Sequence, residues 1–393
     1  MAREIAAWCA IAFIVTAEKP SLAKSSSAAA RTLRRVALVC SFRWGELYER
    51  TDLTDMPDPV YDAPSRLDAP FSEYEGPGEV FPPHADLKEA VMAVAHTSTP
   101  EPGGMAQTAI TRAAGATSAG REDAITMVPT RLGDLRVEVC GAGPPAVLWH
   151  SLFVDSTTWE RVRGPLSAVR RLIIIDGPSH GGSAAASRIF TNAECAGAAL
   201  DVLDHLGVTA PVDWVGNAWG GHVGALVAST SSDRCRSLVT IGTPVHSLTP
   251  RERVKFTLLV GLYRLTGPIG PLITAVSDGL LGPHSAVRKS ADARLVRDAL
   301  RRTTRHGLYL AMRSVMLNRR DLTSALGAVT APTLVVAGAD DAMWTPDQAR
   351  AAASIPSRGT CCVVPGGGHV APLLEGASAL TEVLTTFWRQ DRS

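Results

Sequence analysis

Surplus charge of either sign is missing from this sequence. Over 393 residues, 39 Lys and Arg stand against 38 Asp and Glu, for a formal net charge of +1. That balance supplies no basic field for a phosphate backbone, so nucleic acid is not an expected partner. Cysteine is also sparse. Cys9, Cys40, Cys140, Cys195, Cys235, Cys361 and Cys362 nowhere take C-x-x-C spacing, so neither a thiol zinc site nor a disulfide framework is indicated, and buried structural thiols are expected. No metal motif is present and no G-x-G-x-x-G follows a strand; no cofactor and no metal are expected. Long apolar runs are lacking too. The longest candidate, IAAWCAIAFIVTA at residues 5–17, falls short of the ~20 residues a spanning helix needs, so no stable membrane span is expected. Arg3 ahead of it and Val15-Thr16-Ala17 behind it have signal-peptide character, while Glu4 spoils the positive leader. A cytoplasmic location is the expectation, with export as the alternative.

Hydrophobic residues make up 46% of the chain, enough for a sizeable core. They are not evenly organised. Residues 1–125 show no sustained periodicity, and the run from Thr51 to Leu87 is rich in proline and acidic residues. This region is expected to be a poorly ordered extension, with one short helix at LKEAVMAVAH; Met105 and Met127 are candidate later starts. The organised domain is assigned to residues 126–393. From Leu135 onward, short apolar runs suited to buried strands recur at LRVEVC, AVLWH, LIIID, VDWVG, LVTIG, TLVVAG and CCVVP, mostly with helical stretches between them. The alternation predicts an α/β fold with a mostly parallel sheet and helices on both faces. Ligands in such a sheet gather at the carboxyl ends of the strands. Between Pro244 and TLVVAG the alternation lapses into helical periodicity, predicting a helical cap at about 245–330. Its Phe256, Leu258, Leu259, Leu262, Tyr263, Met312 and Met316 are candidates either for a chamber lining or for the cap's own core.

The stretch VDWVGNAWGGHVGALVAS, residues 212–229, reads as a buried strand, a glycine-rich turn and a small-residue helix. That is the layout of a G-x-S-x-G nucleophile elbow, but its five residues are Gly216, Asn217, Ala218, Trp219 and Gly220. The hydroxyl is missing. Upstream lie WHSLFVDSTTW and LIIIDGPSHGGS; downstream lie TLVVAGADDAMWTP and VVPGGGHVAPLLE. In this order, the five segments resemble the α/β-hydrolase superfamily from about residue 130 to the C-terminus. Ser151 and Ser179 stand where that family usually has glycine.

The resemblance implies site roles. Asp341 is the acid and His369 the base, Asp340 being the competitor for the acid. The N–H groups of Leu152 and Trp219 form the oxyanion hole, and Ala218 occupies the nucleophile position. Gly216, Asn217, Gly220 and Gly221 build the elbow. His150 anchors the oxyanion loop, His180 and His222 are structural, and Ser151 and Ser179 do not sit where an elbow aims a nucleophile. Asn217 is similar to the G-N-S-x-G elbow of carbon–carbon bond hydrolases, although HSLFVDS departs from their glycine-rich oxyanion loop.

A methyl group forms no acyl-enzyme. Three readings follow: an enzyme acting on a small, largely apolar carbonyl compound through His369 and Asp341 without a covalent serine; an inactive homologue that binds a ligand or regulates; and a carboxylesterase or carbon–carbon hydrolase whose nucleophile is replaced by Ala218. Each has a small molecule as its partner. The sequence leaves the oligomeric state open.

Overall fold

The computed structural model describes residues 124–282, 291–366 and 368–390. The signal-like stretch at 5–17, the short helix expected near residue 90, Met105, Cys9 and Cys40 lie outside these residues.

In chain order the elements are β1 (Ala124–Thr130), β2 (Gly133–Cys140), β3 (Pro145–Trp149), α1 (Glu160–Ser167), β4 (Arg171–Ile175), α2 (Asn192–His205), β5 (Val212–Asn217), α3 (Trp219–Thr230) and β6 (Cys235–Ile241). A helical excursion follows: α4 (Pro250–Thr266), α5 (Gly270–Leu281), α6 (Ala291–Arg302), α7 (Arg305–Ala311), a π-helical turn Met312–Leu317, and α8 (Thr323–Gly327). The chain then returns through β7 (Thr333–Gly338), α9 (Pro346–Ala353), β8 (Gly359–Val364) and α10 (Ala377–Gln390).

The eight strands form one sheet in the order β1-β2-β4-β3-β5-β6-β7-β8. The β1–β2 and β2–β4 pairs are antiparallel and the remaining pairs parallel. The sheet therefore starts before Leu135. β1 was hidden in the sequence because AITMVPT leaves Ile125 and Met127 exposed and contains a proline, so it reads as neither a buried run nor a clean alternation.

Period-two alternation sends successive strand residues into two separate cores. Val147 and Trp149 of β3 and Ile173 and Ile175 of β4 join one cluster with α2 and α3. Ala146, Leu148, Leu172 and Ile174 join the other, with α1, α10 and the helical excursion. β5 and β7 are buried along their whole length; TLVVAG accordingly runs mostly apolar without alternating, while β5 carries a buried Asp213 paired with Arg170 and Arg236. Each fully buried Leu, Ile or Val contributes about 1.5–3 kcal/mol relative to exposure.

This strand order also places the site. Strand β3 lies between β4 and β5, so the connections leaving β3 and β5 diverge to opposite sides. The crevice at their carboxyl ends is the topological switch point, where ligands bind in open α/β sheets.

Candidate active site

The turn from β5 to α3 is held tight by glycine. A Cβ on Gly216 would collide with the Gly220 backbone, and one on Gly220 would strike the Trp149 carbonyl at the end of β3. Between them Ala218 takes φ 47° and ψ −98°. An L-residue in this region carries roughly 1–3 kcal/mol of strain, and alanine has no polar side chain to offset it. The backbone is nonetheless pinned, because Ala218 N–H donates to the Ile241 carbonyl at 2.8 Å. Helix α3 then begins at Trp219, whose N–H belongs to the first turn and has no intrahelical acceptor.

His369 and Asp341 come together from the loops after β8 and β7. His369 Nδ1 lies 3.0 Å from Asp341 Oδ2, with both residues buried. The other carboxylate oxygen, Asp341 Oδ1, accepts the N–H groups of Met343 at 2.8 Å and Trp344 at 3.1 Å. One oxygen is thus fixed by backbone, leaving the second to orient the imidazole. Asp340, the competing carboxylate in the sequence, is exposed. The dyad is joined to the turn through Asn217, whose Nδ2 donates to the carbonyls of Ile241 at 3.0 Å and His369 at 3.2 Å. No sequence signal indicated that tie, since it depends on where two distant loops meet.

The loop after β3 carries Leu152, and its shape is set by His150. The N–H of Gly177 donates to His150 Nε2 at 2.8 Å, so Nε2 is the acceptor and Nδ1 carries the proton given to the Ser151 carbonyl at 2.7 Å. Burial holds the His150 pKa below its ordinary value, consistent with this neutral tautomer. His180 is likewise neutral: burial first, then the nearby His150, push its pKa down to about 3. His222 is lowered to about 3 by burial and by Arg319. Trp219 fills the space behind the turn, edge-on to Trp149 and His150 at 5.5 Å each and packed on His180 and Phe190.

Ser151 and Ser179 are buried, and Ser179 Oγ accepts the Ala186 N–H at 2.9 Å. The hydrogen bond of the His369 ring runs to Asp341 rather than to either serine. Strain at the site is wider than the turn. Phe153 with φ 75°, Ser179 with φ 67° and Ala218 with φ 47° follow β3, β4 and β5, three adjacent strands. Left-handed non-glycine residues clustered at neighbouring strand ends are a mark of constrained functional loops.

The helical excursion touches these same loops. Arg302 of α6 donates to Asp155 Oδ2 at 2.7 and 3.0 Å, and Gly307 of α7 packs on the Ser179 side chain. Ser314 Oγ accepts the Phe190 N–H at 2.9 Å, and Val370 N–H donates to the Leu280 carbonyl at 2.9 Å. Of the apolar residues marked as chamber candidates, Leu262, Tyr263 and Met312 are core. Phe256, Leu259 and Met316 are half-buried. Leu258 is 37% exposed and lies toward solvent instead, because the opposite side of α4, through Val260 and Tyr263, is the packed one.

Residues 144–376 match the alpha/beta hydrolase fold family. The chain belongs to that family. The chain is 30% identical over 260 residues to the dihydrolipoyllysine-residue acetyltransferase component of the acetoin cleaving system of Pseudomonas putida, covering 63% of this chain and 64% of that protein. It is 30% identical over 207 residues to a 2-hydroxy-6-oxononadienedioate/2-hydroxy-6-oxononatrienedioate hydrolase of Cupriavidus pinatubonensis, covering 51% of this chain and 68% of that one. Against the first of these the chain spans less than two thirds of the relative's length. A thermophilic esterase from Thermogutta terrifontis superposes with a TM-score of 0.63 over 69% of this chain and all of its own, at 24% identity, a likeness of fold. Within this hydrolase-fold chain the left-handed Phe153 and the Asn217 bridge are what the sequence concealed. Ser179 had shown itself by replacing an expected glycine.

Proposed function

We propose that this α/β-hydrolase acts on a small, largely apolar carbonyl compound by base chemistry, without a covalent serine intermediate. The observation that carries the reading is the buried His369–Asp341 pair at 3.0 Å, tied by Asn217 to a turn that keeps its strained backbone around a methyl group. Asp341 accepts the Nδ1–H of His369 and fixes the tautomer, leaving Nε2 as the base. A water beside the Ala218 methyl gives its proton to Nε2 as its oxygen bonds to the substrate carbonyl carbon. The carbonyl oxygen gains the negative charge, and the N–H groups of Trp219 and Leu152 stabilise it. Collapse of that adduct breaks the bond to the leaving group, which takes the proton back from His369. Water and ester become acid and alcohol, and the base is regenerated.

In this reading the elbow is Gly216-Asn217-Ala218-Trp219-Gly220, and the helical excursion is the cap over it. The hydrolase and esterase names among its relatives support a carbonyl substrate. Turnover of short-chain chromogenic esters and lactones by the chain and by its His369→Ala variant tests the proposal. Loss of turnover in the variant with the fold retained is the expected result. Equal rates in both proteins would remove His369 from the chemistry.

A further inference from the structure

Helix α4 presents to solvent a face that core packing does not explain. Val254, Leu258 and Leu265 follow one another at intervals of four and seven residues, which on a helix of 3.6 residues per turn is a single stripe. They are 59%, 37% and 52% exposed. The opposite side of the helix is the packed one, through Val260 and Tyr263, while Leu262, one turn on from Leu258, is buried at the edge of the stripe. Arg251 and Lys255 border the stripe on one flank, Arg253 and Arg264 on the other, and all four are exposed. The helix's acid, Glu252, lies off this face and accepts from Thr249 N–H and Oγ at 2.9 Å each. The exposed arc is therefore apolar along its centre and positive along both edges.

The surroundings extend the same sign. Arg264 and Arg313 both lie over the Tyr309 ring, and Arg305 donates to the Arg264 carbonyl at 2.7 Å. Over residues 250–321 the sequence carries fourteen Lys and Arg against five Asp and Glu, in a chain whose net charge is only +1.

We infer that this face of α4 docks on an anionic lipid surface. An apolar stripe between cationic edges matches the boundary of a bilayer, where acyl chains take up the apolar side chains and headgroup phosphates meet the guanidinium and ammonium groups. Among the described residues no helix is long and apolar enough to cross a membrane, so the contact is one of lying on the surface. A second copy of the same face would bring like charges together. A nucleic acid would leave the apolar centre without a partner. Docking here places the excursion that contacts the strand-end loops against the bilayer, where apolar molecules concentrate. The inference stands apart from the reaction, since membrane binding is read without turnover.

The test is co-flotation of the full chain with vesicles of phosphatidylcholine alone and of phosphatidylcholine mixed with phosphatidylglycerol. The chain should float with the anionic vesicles, far less with the zwitterionic ones, and be released by salt. Leu258→Asp should weaken binding roughly tenfold or more, and Arg251→Ala a few-fold. Both positions are exposed, so unchanged melting temperatures will confirm that the variants fold. Failure to float with anionic vesicles at low salt would overturn the inference. So would binding that Leu258→Asp leaves unchanged, or self-association of the chain that Leu258→Asp abolishes.

Discussion

The turn at Ala218 and the outer face of α4 treat the same kinds of group in opposite ways. Around the turn, His180 and His222 are buried and neutral, the backbone is strained, and a methyl group sits where chemistry would want a polar atom. On α4, the cations are exposed, the backbone is ordinary helix, and leucine and valine face solvent. The first region gives up stability to hold a geometry, whereas the second gives up burial to hold a surface. Structural economy alone predicts neither arrangement, and that is why both point to function.

The largest loss is expected at the glycines. Gly220→Val should cost more than about 4 kcal/mol, because its side chain would have to displace the β3 backbone at Trp149. Thermal denaturation of the variant checks this, and a melting temperature near that of the parent would mean the turn is looser than its contacts imply. Next in size is the dyad. His369→Ala and Asp341→Asn should each lower turnover by about 10²–10⁴-fold, with stability changing much less, as steady-state rates and melting curves measured together will report.

The buried histidines make stability depend on pH. His180 and His222 are held to about 3 in the fold, against an ordinary value of 6.5. Between those values the unfolded chain binds protons that the folded chain refuses, so stability is whole above pH 6.5 and falls as the pH drops. The loss is about 2 kcal/mol for each histidine by pH 5. Denaturant midpoints measured from pH 7 to pH 5 should fall accordingly, and His222→Leu should flatten its share of that slope. The smallest effect expected is at the turn itself. Ala218→Gly should cost under about 0.5 kcal/mol, since glycine relieves the left-handed strain, while Ala225→Gly inside α3 should cost about 1 kcal/mol or more. Equal costs would mean that Ala218 is not strained.

Much of the first region was legible in the sequence. The apolar runs of β3 to β8 and the glycine spacing around Ala218 follow from local rules, because a tight turn and a buried strand constrain their own residues, whereas Asp341 and His369 were legible only through the family resemblance of their segments. β1 escaped because an edge strand with a proline obeys a weaker pattern. Phe153 and the Asn217 bridge escaped for a different reason: a left-handed phenylalanine and a hydrogen bond between residues 152 positions apart have no local signature. The α4 face was hidden by averaging. A net charge near zero for the whole chain concealed a basic stretch of some seventy residues balanced by acidic segments elsewhere, and charge counted in windows would have found it.

In the proposed reaction His369 works without a covalent partner at position 218. The most direct test is intact-protein mass spectrometry of the chain and of Ala218→Ser, each quenched while hydrolysing the same ester. The chain should turn over with no added acyl mass, and Ala218→Ser should carry an acyl adduct during turnover. An adduct on the unmodified chain, or turnover that exists only once the serine is restored, would contradict the proposed reaction.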